Sequence, residues 1–119
     1  MTEVSYGRDG LHVRFPGWEA RMAGREMFFA PAASVGGAHA EAGWSSEILG
    51  VRSGLVVSGF RKVGVFTHTS GVRRLVSMKR GLPLLRVAVD RETTQFDEVL
   101  VSVPEAAAIA DAIRAAGAR

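Results

Sequence analysis

The sequence predicts a mainly β domain closed by a single C-terminal α-helix. Three observations carry that prediction. Apolar residues alternate with period two in several short runs between residues 11 and 103, turn residues separate those runs, and beyond Pro104 the period becomes that of an amphipathic helix. At 119 residues, with no linker, repeat or low-complexity tract, the chain suits a single domain spanning 1–119 with its own core.

Asp9-Gly10 supplies a turn, and Leu11-His12-Val13-Arg14-Phe15 alternates as a first strand with Leu11, Val13 and Phe15 inward, broken by Pro16-Gly17. Trp18, Met22 and Met27, with Arg21 and Arg25 between them, fit one helical turn leading into a strand over Glu26 to Ala30. Between Gly36 and Gly64 lie seven glycines in 29 residues, which predicts broken strands and loop, because interior glycine weakens strands and marks bulges. Further strands follow at Val63 to Thr69, Arg73 to Lys79, Leu84 to Asp90 and Phe96 to Val103. The short turns at Arg80-Gly81-Leu82-Pro83 and Asp90 to Gln95 make the last three an antiparallel meander. Ser102-Val103-Pro104-Glu105 has the form of a capping box. Ala106, Ile109, Ala110, Ile113 and Ala116 then share one helical stripe, and Gly117 ends the helix, giving a span of about 104–116.

Composition excludes several chemistries. Without cysteine there is no thiol catalysis, disulfide framework or cysteine-based metal site. His12, His39 and His68 lie too far apart for metal-ligand spacing, so no metal or cofactor is expected. Ser58 and Ser70 stand near His68 but outside any nucleophile elbow, and no glycine run has the form of a phosphate loop, so no enzyme is expected. The pI near 10.2 reflects only +3 of net charge, thirteen arginines and two lysines against twelve acids. Those cations are scattered in short pairs, too dispersed to track a nucleic-acid backbone. With no signal peptide and no apolar run long enough to span a bilayer, the expected location is the cytoplasm.

Val13-Arg14-Phe15 with Gly17-Trp18, Gly59-Phe60 with Gly64-Val65-Phe66, and the hairpin from Arg80-Gly81-Leu82-Pro83 to Phe96-Asp97-Glu98-Val99 resemble uncharacterised bacterial proteins with a pleckstrin-homology-like (PH-like) domain. That resemblance implies a barrel of about six or seven antiparallel strands in two roughly orthogonal sheets, capped by the C-terminal helix. It also implies a non-enzymatic binding module for a protein or peptide partner, or for self-association. Two other functions fit the same element order: a small-ligand- or flavin-binding split β-barrel, and weak peripheral binding to anionic lipid. For a partner surface the candidates are Trp44, an aromatic among loop residues, with Arg61 and Lys62. For an anion or lipid headgroup they are Arg14, Arg21 and Arg25, in the region where phosphoinositide-binding PH domains carry a basic cluster. Trp18 is expected to be a core plug.

Overall fold

A computed structural model describes residues 2–43, 51–57 and 61–117, with Trp18, Met22, 51–57, Arg61 and Gly117 described by their backbone alone. The described residues form β1 (Glu3–Tyr6), β2 (Gly10–Arg14), α1 (Gly17–Ala23), β3 (Met27–Pro31), a short 3-10 turn, β4 (Val35–Glu41), β5 (Val51–Val57), β6 (Arg61–Thr67), β7 (Arg73–Lys79), β8 (Leu84–Val89), α2 (Arg91–Thr94), β9 (Glu98–Ser102) and α3 (Ala106–Gly117). A three-stranded sheet runs β1-β2-β3 and a six-stranded sheet runs β4-β8-β9-β7-β6-β5. The protein is therefore mainly β with a C-terminal helix, as its periodicity requires.

The small sheet follows the alternation of its sequence. Leu11, Val13, Phe28 and Ala30 are buried while their neighbours face outward. Gly10 is required at the start of β2, because a Cβ there would lie 2.0 Å from the carbonyl oxygen of Ala30. Gly24, in the left-handed region at φ 74°, stops α1 and turns the chain into β3. Thr2 ties the first strand to the interior, its hydroxyl donating to the buried Glu19 carboxylate at 2.7 Å and lying 2.7 Å from the Ser77 hydroxyl.

The large sheet carries the core on its inner face, where Leu75, Leu85, Val87, Val99 and Val101 meet Leu11, Val13, Phe28 and Phe96. Helix α1 packs on β5, β6 and β7, while α3 packs on β4 and β8 and reaches β1. Ala106, Ala110 and Ile113 are the buried part of the α3 stripe, with Ile109 packed against the same cluster. The small side chains of Ala106 and Ala110 let the helix lie close to the sheet. The opposite face of the large sheet buries a second cluster of Phe66, Val76, Met78, Leu84 and Leu100.

Several expectations are corrected. Nine strands are described, and β1 precedes the first strand expected from sequence. Its alternation is only four residues long, and Val4 and Tyr6 pack on the core through pairing with β2. The segment after Gly36 is more regular than its glycines suggest: β4, β5 and β6 each run for seven residues, and Gly36-Gly37 mark only a register shift in β4. The last three strands do not form a meander. β9 inserts between β7 and β8, parallel to the first and antiparallel to the second. Its run Val99-Leu100-Val101 is apolar on both faces, which suits a central strand better than an edge. Ser102 does not cap α3, because its hydroxyl accepts the backbone N–H of Lys79 at 2.8 Å. The polar link before β9 holds one helical turn, α2, capped by Asp90. Finally, no strand ladder joins the two sheets among the described residues, so they do not close into a barrel. α3 spans the seam between β4 and β1 instead of plugging a barrel end.

Candidate functional site

The outer face of the small sheet is set by the same alternation that builds its inner one. Strand pairing aligns Glu3, Arg14 and Met27 in one row and Ser5, His12 and Phe29 in the next. Met27 and Phe29 are 59% and 43% exposed, and they are the exposed large hydrophobic side chains among the described residues. One exposed Leu or Met is ordinary, but two large apolar groups on one sheet face that no described residue covers make that face a candidate contact surface. The surface is braced: the His12 ring packs against Phe29 at a tilt of 48° with centroids 4.7 Å apart, and His12 Nε2 lies 2.8 Å from Asp9 Oδ2. That hydrogen bond holds the Asp9 carboxyl below its usual range. Beside this face run two open grooves, of about 370 Å³ along Ser5, His12 and Arg14 and about 690 Å³ along Arg14, Pro16 and Glu26, with Met27 between them.

The three arginines offered as anion contacts stand in different settings. Arg14 projects from the outer face of the small sheet and Arg21 from α1, both exposed. Arg25 turns inward, where its guanidinium carbon sits 4.9 Å from the centroid of Phe96. Arg73, at the start of β7, approaches the same ring to 5.1 Å. Phe28 meets Phe96 edge-on at 5.8 Å, so the ring bearing both arginines is itself fixed in the core. Each of these arginines has a buried Nε without a hydrogen-bond partner. Burial, and after it the charge of Arg73, lowers the pKa of the Arg25 guanidinium from its ordinary value.

Strand alternation sends the adjacent Arg74 to the other face, where it meets acid. Arg74 Nε donates to Glu98 Oε1 at 2.8 Å, and Arg86 Nη1 reaches Glu98 Oε2 at 3.2 Å. Arg86 Nε also reaches Glu41 Oε2 at 3.2 Å, and His39 Nε2 lies 3.1 Å from the same oxygen. This ladder across β7, β9, β8 and β4 was not legible in sequence, because its members are scattered and only the strand order aligns them. Of the partner-surface candidates, Trp44 lies outside the described residues and the side chains of Arg61 and Trp18 are likewise outside them. Lys62 is half-buried on β6.

The described histidines sit in separate places, and no group of three His, Asp or Glu side chains converges among the described residues. His68 Nδ1 lies 2.9 Å from Ser70 Oγ and accepts the Ser70 backbone N–H at 3.1 Å, an arrangement that closes the β6–β7 turn. No described helix is long and apolar enough to cross a membrane. Comparison of the chain with protein-family models, curated proteins and solved structures gave no match.

Proposed function

We propose that the protein is a non-enzymatic interaction module of the PH-like kind whose contact surface is the outer face of the small sheet, and that the surface receives a second copy of the chain. The observation that carries this reading is the exposed pair Met27 and Phe29, held on a sheet whose other face is core. The occupant follows from charge. Glu3 and Arg14 sit in one row beside Met27, so two copies related by a two-fold axis can set the glutamate of each against the arginine of the other. A face of three short strands falls at the small end of interface sizes, below about 1,200 Å² in all, so the association is weak and concentration-dependent. The dispersal of Arg14, Arg21 and Arg25 over different surfaces favours a protein over an anionic membrane as the partner.

Sedimentation velocity over a wide concentration range tests the proposal. The wild-type chain should shift from monomer to dimer, and Met27→Glu with Phe29→Glu should hold it monomeric at every concentration without lowering its melting temperature. Glu3→Arg and Arg14→Glu should each weaken the dimer, and the two together should restore it. A wild-type monomer throughout, or a dimer indifferent to these changes, overturns the reading.

A further inference from the structure

We infer that Arg25 and Arg73, converging on the ring of Phe96, form a binding site for a phosphate monoester dianion. Four arginines with described side chains are half-buried: Arg25, Arg73, Arg74 and Arg86. The last two share the carboxylate of Glu98. Among the described residues the first two meet no carboxylate, and their guanidinium carbons lie 4.9 and 5.1 Å from the centroid of one ring. Two like charges brought together at a partly buried place are costly, and the cost is removed most directly by an anion lying against both.

Among the described residues the neighbouring elements do not supply that anion. Asp97 Oδ2 already accepts the backbone N–H of Arg73 at 2.8 Å and the Arg91 guanidinium at 3.0 Å. That carboxylate is engaged by Arg91, and among the described residues no other is paired with Arg25 or Arg73. Their support is rigid. Arg25 follows the left-handed turn at Gly24, where its own N–H bonds to the Ala20 carbonyl at 3.0 Å. Arg73 belongs to a strand paired on both sides. Stacking on one ring limits the planes the guanidiniums can take while leaving their terminal N–H groups as a fork. Two forks and two positive charges match the oxygens and charge of a phosphate monoester, which is a dianion above its second pKa near ~6. This inference is independent of the dimer surface, since Arg25 turns away from the face that carries Met27 and Phe29.

The test is calorimetric titration of the full chain with inorganic phosphate and methyl phosphate, alongside sodium acetate and chloride at matched ionic strength. The expected result is saturable one-to-one binding of both phosphates above pH 7 and none of acetate or chloride. Arg25→Gln and Arg73→Gln should each weaken binding about tenfold or more, whereas Arg21→Gln, on the exposed side of α1, should not change it. Should either Gln variant melt early, Arg25→Lys and Arg73→Lys keep the stem and the charge but lose the fork, and should still weaken binding. Vesicles containing phosphatidic acid, whose headgroup is a phosphate monoester, distinguish the source of the ligand. Binding of vesicles that depends on Arg25 places the phosphate on a lipid, and binding of free monoesters alone places it on a soluble ligand. Absence of saturable phosphate binding, or phosphate binding unaffected by substitution of both arginines, overturns the inference.

Discussion

At the centre of the six-stranded sheet, β9 buries every residue from Val99 to Ser102, whereas β3 of the small sheet buries Phe28 and Ala30 and leaves Met27 and Phe29 in solvent. Val99–Val101 and Met27–Ala30 are both unbroken apolar runs, so hydrophobicity alone does not decide their fate. What differs is the number of layers laid on them. The large sheet has apolar clusters on both faces, and the small sheet has a core on one and nothing described on the other. Buried apolar side chains on the large sheet act as stability, while the same side chains on the open face of the small sheet are available for contact.

The largest expected effect tests what closes the core. A chain ending before Pro104 loses α3, uncovers Ala38, Val87 and the seam between the sheets, and should show neither a monomeric elution peak nor a cooperative thermal transition. A sharp melt from a monomer would mean that the two sheets seal without the helix. Next comes a direct contrast of the two strands. Leu100→Ala in β9 should cost roughly 2–5 kcal/mol by chemical denaturation. Phe29→Ala on the open face should change stability by about 0.5 kcal/mol or less, and similar costs at the two sites would dissolve the contrast.

A smaller effect is expected on the charged side of the large sheet. Glu98→Gln removes the acid shared by Arg74 and Arg86, both of whose side chains are 13% exposed, and should cost about 1–3 kcal/mol, recovered in part by added salt anions. An unchanged unfolding midpoint would show that water replaces the carboxylate without loss. The smallest effect is one of pH. Hydrogen bonds from the Thr93 hydroxyl and backbone N–H hold the Asp90 carboxyl below its ordinary value at the start of α2. A carboxyl lowered on folding contributes stability that is present above the unfolded pKa and is lost as pH falls through the folded one. Carboxyl-carbon NMR should therefore find Asp90 titrating below an unstructured aspartate, with Thr93→Ala moving it upward. Titration at the ordinary value in the wild-type chain would remove the cap from the account of α2.

Sequence by itself determined which segments are strands or helix over much of the chain and which way their side chains face. Leu11, Val13 and Phe15 are buried as their alternation requires, β7 spans Arg73–Lys79 as expected, and the α3 stripe is the side that packs. These properties are local, since a period of two or of 3.6 residues is fixed by backbone geometry. Which strands become neighbours is not local. The insertion of β9 between β7 and β8, the parallel pairing it creates, and the failure of the two sheets to close into a barrel depend on contacts between segments far apart in the chain. The candidate surfaces belong to this second kind. Arg73 and Arg74 are consecutive, yet the packing of α1 and Phe96 on one face and of Glu98 on the other gives the first no acid among the described residues and the second a firm ion pair. Met27 and Phe28 are likewise consecutive and alike in sequence, and only the absence of a described layer over the small sheet leaves the first exposed and the second in the core.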